Sequence, residues 1–357
     1  MLPVLMQMFT RIDWPAVGIT LTLGAIGGGI AYAIGLPIAL LLGSLLAVGG
    51  AAALGLRPLG RRIQVPPVLR IIFIPVVGVA IGANFTPEVA RQMVNWWPSL
   101  LALCLYIPVV HAIGYFFYRR FGPLDAKTAY FGAVPAGMVE CVMLGEEVGA
   151  DVKMLVLLQF LRLILTILLV PVAFALLTDI HVGPAVRLGG HGGMGPADLF
   201  ILGAAAISGA WIAKRLRFPA AVMTGPILMS ALVHATGLTS AVPPVWAVSV
   251  TQVIVGCMLG ARFSGLPMGH IGMAIRLTIV NVLFGLGVAF VFTRALAHVI
   301  DQPPAAIFLA FAPGGVTEMS LIALSIQLSV VYVTAHHVMR IVMGILIART
   351  FAKRILG

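Results

Sequence analysis

Long apolar segments separated by short polar stretches make up most of this sequence. They run over residues 15–34, 37–55, 66–84, 98–118, 124–149 and 152–177, and then over 197–213, 219–237, 243–262, 276–297, 303–327 and 329–349. A helix needs roughly 20 apolar residues to cross a bilayer, so the pattern predicts an all-α polytopic membrane protein. Between the two sets lies a glycine-rich stretch, residues 179–196, which is typical of a flexible linker. We therefore expect a first membrane unit at 1–178 and a second at 197–357.

The second unit repeats the first in the residues that shape helices. At an offset of 182, the matched pairs are Gly27 and Gly209, Pro37 and Pro219, and Gly43 and Gly225. At an offset of 178, Gly78, Gly82, Pro135, Gly137, Glu140 and Arg162 match Gly256, Gly260, Pro313, Gly315, Glu318 and Arg340. Shared Leu or Val would follow from composition alone. Shared Pro, Gly, Glu and Arg in one register indicate an internal duplication.

Two of the apolar segments are interrupted at their centres. Residues 124–149 contain Pro135 and Gly137, and residues 303–327 contain Pro313, Gly314 and Gly315. Proline removes a backbone donor and glycine loosens a helix, so each segment should form two short arms. An arm of about 11 residues spans ~16 Å, half of the apolar thickness of a bilayer. Segments that cross would give six spans per unit and parallel units, whereas segments that enter and return would give five spans and inverted units.

The distribution of basic residues favours the inverted arrangement. Of the 22 Lys and Arg residues, Arg162 and Arg340 lie within spans, which leaves 20 in loops and ends. The crossing arrangement places 13 of these on the side of the N-terminus, and the re-entrant arrangement places 17 there. Cytoplasmic loops of membrane proteins carry the excess of Lys and Arg. We therefore predict two inverted repeats, each of about five transmembrane helices plus one broken re-entrant segment, in a bacterial inner membrane with both termini in the cytoplasm.

Composition agrees with this class and restricts the chemistry. Hydrophobic residues account for 61% of the 357 and charged residues for 9%, far below the roughly 25% of a soluble domain. The net charge of +11 lies in short clusters between apolar segments, so we expect a lipid bilayer and no nucleic acid as partner. The three cysteines share no metal-ligand spacing, and the eight histidines form no cluster. We expect no cofactor, no metal and no enzymatic activity.

The residues that could carry chemistry belong to the duplicated pattern around each interruption. A Pro-x-Gly-x-x-Glu motif is followed by 18 residues, then Gln or His, and then Arg three positions later. The candidate path residues are Pro135, Gly137, Glu140, Gln159 and Arg162 in the first unit, and Pro313, Gly314, Gly315, Thr317, Glu318, His337 and Arg340 in the second. Asp151 and Ser329 stand where the next helix should begin, and both residue types are good N-caps.

Depth suggests that each glutamate meets its arginine. Arg162 and Arg340 lie 11 residues beyond Asp151 and Ser329, which is ~16 Å into the bilayer, and Glu140 and Glu318 lie 11 residues before them. A charge at that depth costs at least ~2.5–3.5 kcal/mol unless it is paired or hydrated. Two interpretations remain open. The Glu–Arg pairs either hold each re-entrant segment against its neighbouring helix, or line a path in which Arg meets an anion or Glu meets a cation.

The glycine-rich start of each unit and the doubled Pro-Gly-Glu pattern carry a resemblance to a known family. The best-matched string runs Ala-Pro-Gly-Gly-Val-Thr-Glu-Met over residues 312–319. The sequence is identified as a member of the bacterial AbrB membrane family, for which an internal duplication is described. The family labels imply either a regulator of gene expression or an ammonia monooxygenase.

Transport is the function that the architecture favours. Broken helices that meet at the midplane hold substrate and ion in many secondary transporters. We expect a secondary transporter that carries a small solute and is coupled to H⁺ or Na⁺, with an anion as one option for the solute and a homodimer as one option for the assembly. The alternatives are a membrane-bound regulator acting through a partner and a monooxygenase-like enzyme. The second of these would need metal ligands that the sequence does not group together.

Overall fold

The computed structural model describes residues 12–177, 194–265 and 268–355. Within them the chain is helical, and no strand is present. Helices of the first unit are α1 (Trp14–Ala33), α2 (Ala39–Ala53), α3 (Val68–Gly82), α4 (Pro87–Met93), α5 (Trp97–Phe121), α6 (Ala126–Ala133), α7 (Met138–Glu147) and α8 (Val152–Leu177). Helices of the second unit are α9 (Pro196–Arg215), α10 (Ala221–Ala235), α11 (Val245–Ala261), α12 (Ile271–Leu296), α13 (Pro304–Phe311), α14 (Val316–Ser325) and α15 (Val330–Ile355). The termini and residues 178–193, most of the predicted linker, lie outside the described residues.

The helices confirm an all-α, multi-pass membrane protein. Seven candidate spans in the described ranges are long and apolar enough to cross a bilayer, and they contain α1, α5, α8, α9, α11, α12 and α15. Helices α2, α3 and α10 also occupy predicted spans, but each has 15 residues, or ~22 Å of helix. The expected ten spans thus rest on seven clear cases and three short ones. Whether the units are inverted stays a prediction at this level.

The duplicated glycines make equivalent close contacts in the two units. Gly27 on α1 faces the backbone of Gly43 on α2 so closely that neither position has room for a side chain. Gly209 on α9 and Gly225 on α10 repeat this contact. In a bilayer, where hydrophobic burial drives helix association little, such small residues let helices pack tightly. The repeated residues therefore repeat a packing role.

Both interrupted segments are broken helices, as the sequence predicts. In the first unit, α6 ends at Ala133 and α7 begins at Met138, and in the second, α13 ends at Phe311 and α14 begins at Val316. The Asp125 carboxylate caps α6 by accepting from the Lys127 and Thr128 amides. In each segment the chain passes from one arm to the other through the Pro–Gly stretch between them.

The arms of the first segment enter and return at the same end of α8. At the start of α6, Thr128 Oγ1 accepts a hydrogen bond of 2.9 Å from the Asp151 amide, just before α8 begins. At the end of α7, Gly145 lies against the Leu155 side chain, also in the first turn of α8. The two arms therefore form a hairpin, which is the geometry of a re-entrant segment.

The two predicted N-caps differ. The Asp151 side chain accepts from the amides of Lys153 and Met154 at 2.9 and 3.1 Å, which confirms it as the cap of α8. Ser329 contributes its backbone carbonyl to Val333, while no side-chain cap bond of Ser329 is present in the described region.

Candidate functional site

The first site contains an arginine whose guanidinium donates hydrogen bonds to backbone carbonyls at the interruption of the helix. At the C-terminal end of α6, the last carbonyl groups have no partner within the helix. Arg162 on α8 supplies one, because its guanidinium donates through Nη1 to the Val134 carbonyl and through Nη2 to the Ala136 carbonyl, the latter at 2.8 Å. Arg162 is 5% exposed. Its planar fork thus spans the interruption from one side to the other.

The second site repeats this arrangement atom for atom. Arg340 on α15 donates through Nη1 to the Ala312 carbonyl and through Nη2 to the Gly314 carbonyl, and it is 2% exposed. Both acceptors stand 178 positions after their counterparts in the first unit. The duplication therefore preserves a specific arginine–backbone brace as well as a motif.

Gln159 and His337 support the same arms one turn earlier. Gln159 Nε2 lies 2.8 Å from the Phe131 carbonyl and 3.1 Å from the Gly132 carbonyl. His337 Nε2 lies 3.0 Å from the Leu309 carbonyl, at the position equivalent to Phe131. Both side chains are fully buried. They bind the end of the first arm and are absent from the lining of the cavity described below.

The expected Glu–Arg pairs are not formed. Ion pairs in the described part of the chain join Asp13 to Arg61 and Glu88 to Arg91, and neither Glu140 nor Glu318 takes part in one. The arginine side chains turn instead towards the backbone carbonyls of the interruptions. The interpretation that a Glu–Arg ion pair holds each segment is therefore wrong, and a hydrogen-bonded brace takes its place.

Each glutamate instead folds back over the start of its own helix. Glu140 and Glu318 are third residues of α7 and α14, and the carboxylate of each lies where a side chain on Gly137 or Gly315 would be. Negative charge is favourable beside the free amides of a helix N-terminus. Only glycine at the N-cap leaves space for the carboxylate, which gives Gly137 and Gly315 a definite reason to be glycine.

A cavity of about 160 Å³ lies between the two interruptions. Of the sequence-predicted residues, eight line it: Gly137, Glu140, Arg162, Gly314, Gly315, Thr317, Glu318 and Arg340. Pro135 and Pro313 are buried beside it without lining it. The two units therefore contribute their interruptions to one shared space, which the sequence could not show.

Arg70 and Arg262 also line the cavity, and sequence reasoning missed them. Arg70 lies in the first turn of α3, and Arg262 follows the end of α11. Arg262 Nη1 lies 3.4 Å from the sulfur of Met138, at the start of α7. Both arginines are exposed, so they mark the open side of the cavity. Neither has an arginine at the equivalent position of the other unit, so the repeat gave no signal for them.

The cavity carries an excess of positive charge. Four arginines line it, Arg70, Arg162, Arg262 and Arg340, against the two glutamates Glu140 and Glu318. The deepest pair, Arg162 and Arg340, is buried, and no carboxylate in the described ranges forms an ion pair with either. A cation in such a place is costly unless an anion or water meets it. The arrangement can therefore attract and hold a small anion.

The described residues give no support to a metal centre. Among them, no group of three or more His, Cys, Asp or Glu side chains is placed to hold a metal ion. The buried histidines have other partners. His336, for example, lies 2.8 Å from the Ser99 hydroxyl and 2.8 Å from the Tyr332 carbonyl.

Comparison with known proteins places the chain in a family. It is 24% identical over 304 residues to the protein named "Uncharacterized protein YhjN" of Bacillus subtilis (strain 168), which covers 78% of this chain and 76% of that protein. It is 23% identical over 313 residues to the protein named "Putative regulator AbrB" of Escherichia coli (strain K12), with 87% of each chain covered. The family model described as "Transition state regulatory protein AbrB" matches residues 40–356, which include both braces and every lining residue of the cavity. The chain belongs to the AbrB family.

Proposed function

We propose that this protein is a secondary transporter of the bacterial inner membrane that carries a small anion and is coupled to H⁺ or Na⁺. The observation that carries the proposal is the shared cavity, in which two buried arginines, without carboxylate partners among the described residues, lie between two broken helices. Secondary transporters commonly bind their substrates where discontinuous helices meet at the bilayer midplane.

Helix directions support the inverted arrangement that alternating access needs. Helix α11 packs along α2, with Gly256 beside Leu41 and Gly260 beside Leu45, so these helices run the same way. Since α2 and α3 are consecutive spans, they cross in opposite directions. Helices α3 and α11, which are equivalent in the repeat, would then cross in opposite directions too. This is the relation expected between two inverted units.

The charge rule supports an orientation for the cavity. In the inverted arrangement, the start of α3 and the end of α11 both face the cytoplasm, where basic residues are in excess. These are the positions of Arg70 and Arg262, the exposed arginines on the open side. The structure would then correspond to an inward-open state, and transport would require closing this side and opening the other.

Glu318 is the candidate group for ion coupling. It is 8% exposed, has no ion-pair partner in the described chain, and lines the same cavity as the arginines. A buried carboxylate can be neutralised by binding either a proton or Na⁺, and either event would change the charge seen by an anion in the cavity.

Uptake into proteoliposomes tests the proposal. Purified protein is reconstituted, a pH or Na⁺ gradient is imposed, and uptake of labelled acetate, succinate and phosphate is compared with that of empty vesicles. Arg262→Gln should reduce uptake of the transported anion, because it removes a cation from the open side of the cavity. Arg276→Gln is the matched control, since Arg276 is exposed on α12 and does not line the cavity. If none of the anions enters under either gradient, the proposal in this form fails.

The name of the E. coli relative favours a second candidate, a membrane regulator that acts through a partner protein. A regulator would bind an anion in the same cavity and change its contacts with the partner, with no flux. Binding to purified protein combined with absent flux in well-formed proteoliposomes would favour this function. Stoichiometric bound copper or iron in purified protein would instead favour the monooxygenase-like enzyme.

A further inference from the structure

The two deepest cations of the cavity repel each other. Arg162 and Arg340 both line it, are 5% and 2% exposed, and carry charges of the same sign. In the described residues no carboxylate forms an ion pair with either. Two like charges held this way in a low-dielectric interior are unfavourable, and an anion between them would relieve the repulsion at both.

Each of these arginines also retains donors beyond its two backbone hydrogen bonds, because a guanidinium carries five N–H groups. Nη1 and Nη2 of each side chain are bound to backbone carbonyls of the interruption. Nε of Arg162 and Nε of Arg340 are buried without any hydrogen-bond partner in the described structure. Because neither Nε has accessible surface, the N–H groups left for a ligand are the second hydrogens of Nη1 and Nη2 in each arginine.

The charges that face the cavity indicate how much negative charge is missing. With all six ionised, Arg70, Arg162, Arg262 and Arg340 exceed Glu140 and Glu318 by two. The amides at the starts of α7 and α14 are already next to Glu140 and Glu318, so the arginine donors are what remains for a ligand. A cavity volume of about 160 Å³ limits the ligand to a small molecule.

We propose that the cavity binds a small dianion whose two anionic groups are separate, as in a short dicarboxylate. One group accepts from the Arg162 guanidinium and the other from the Arg340 guanidinium, so that the ligand bridges the two units. This inference rests on the proposed function, because it specifies the substrate class of the same site. The pseudo-symmetry of the braces explains why a ligand with two similar ends fits better than one with a single charged end.

Binding to the purified full-length protein separates the ligand classes. Titration calorimetry compares malonate and succinate with the monoanion butyrate and with sulfate, a dianion that has one centre, at constant ionic strength. A charge-assisted hydrogen bond corresponds to about one to two factors of ten in affinity, so succinate or malonate should bind at least ~10-fold more tightly than butyrate and sulfate. Butyrate or sulfate binding as tightly as both dicarboxylates would overturn the proposal.

A single cavity variant then locates the two ends. Arg162→Gln removes one of the two cations that bind the dianion, so the ratio of succinate affinity to butyrate affinity should fall towards one. A preference unchanged in folded Arg162→Gln protein would overturn the bridging geometry. Since Arg162 also holds the interruption together, this variant can fail to fold, and a second measurement is needed.

Thiol protection supplies that measurement without altering an arginine. In a Cys104→Ala background, Val139→Cys places a thiol on a residue that lines the cavity and is 50% exposed. Met143→Cys is the matched control, because Met143 lies one turn later on α7, is 56% exposed and does not line the cavity. Succinate should slow modification at position 139 and leave position 143 unchanged, whereas equal rates at position 139 with and without succinate would overturn the proposal.

Failure of this inference is distinguishable from failure of the proposed function. Uptake of a monoanion without preferential dicarboxylate binding would contradict the dianion and leave transport standing. Tight succinate binding with protection at position 139, but without flux, would support the dianion site and contradict transport.

Discussion

The second arms of the two broken helices differ in how they are surrounded. In the first unit, α7 exposes Val139 and Met143, at 50% and 56%, and buries Cys141, Leu144 and Gly145. In the second unit, every residue of the equivalent helix α14 is buried. Ser320 of α14 also forms a hydrogen bond of 2.7 Å with Thr334 of α15, where the first unit has valine at both matching positions, 142 and 156.

The first arms, in contrast, are held alike. Arg162 and Arg340 bind carbonyls at equivalent positions, and so do Gln159 and His337. The duplication has thus kept the contacts that every broken helix needs at its interruption and changed the packing of the arm that follows. We infer that α14 is the fixed element of the site, and that α7 is the element free to move when the cavity opens and closes.

Replacing the arginine of a brace by lysine should have the largest effect on stability. The loss should differ between the two units. Arg340→Lys leaves one amine where two donors met two carbonyls, so at least one buried carbonyl loses its partner. We expect a loss of about 1–3 kcal/mol in the free energy of unfolding. Arg162→Lys should lose less, because water can reach the partly exposed surroundings of α7 more easily. Thermal unfolding in one detergent measures both.

The wild-type protein and Arg276→Lys are the controls for that pair. Arg276 is exposed on α12, so its substitution should leave the melting temperature unchanged. Equal losses in the two brace variants, or a larger loss for Arg162→Lys, would show that burial of the second arm does not set the strength of the brace.

Neutralising the two glutamates should give the next largest effect, seen in transport. Glu318 is 8% exposed, whereas Glu140 is partly exposed, so a proton or ion on Glu318 changes the field in the cavity more. Coupling free energies of 1–3 kcal/mol correspond to roughly 5- to 150-fold changes in affinity. Glu318→Gln should therefore lower the stimulation of uptake by the pH or Na⁺ gradient at least about fivefold, and Glu140→Gln less than that.

The dependence of initial uptake rates on the gradient, measured with equal amounts of folded protein, decides this prediction. A Glu318→Gln protein that keeps the full response to both gradients would remove Glu318 from the coupling role. A larger effect for Glu140→Gln would place the coupling group in the first unit instead.

The positions of the interruptions could be predicted because proline and glycine act locally. Pro135 and Gly137, like Pro313 and Gly315, end one arm and start the next whatever surrounds them. The repeat in one register then predicted two similar sites. The N-cap at Asp151 followed from residue type in the same way.

The partners of the arginines could not be predicted from depth alone. Depth puts Arg340 level with Glu318, but the direction of a long side chain depends on packing across helices. A count of backbone partners would have helped, because an interrupted helix leaves carbonyls at the end of its first arm that need donors. Arg70 and Arg262 were missed for another reason. They reach the cavity through the tertiary arrangement of α3 and α11, and no local pattern marks them.

Substitution of His337, which supports the first arm, should have only a small effect on stability. His337→Gln keeps an amide donor for the Leu309 carbonyl, as Gln159 provides for Phe131, so stability should change by less than about 1 kcal/mol. His337→Ala removes the donor and should cost more. Melting temperatures of the two variants test this, and equal losses would mean that the donor to the Leu309 carbonyl does not contribute measurably to stability.

The smallest effect on stability is expected at the N-terminus of α1, the first helix of the first unit. Asp13 caps α1 by accepting from the Ala16 amide at 3.2 Å and forms an ion pair of 2.7 Å with Arg61. At the equivalent position, Gly195 is the N-cap of α9, and its amide donates to Asp198 at 3.0 Å. Hydrogen bonds from Arg61 and from the Ala16 amide hold the pKa of Asp13 below its usual 3.8. Because the folded-state pKa is lowered, the carboxylate stabilises the protein above about pH 4, and this contribution is lost as pH falls through the lowered pKa.

The pair is exposed, so Asp13→Asn should lower the melting temperature by no more than about 1–2 °C at pH 7. The difference from wild type should shrink below pH 4 and in high salt, because protonation and screening both weaken the pair. A difference that stays constant as pH falls from 7 to well below 4 would mean that Asp13 acts through a neutral hydrogen bond of the cap and not through its charge.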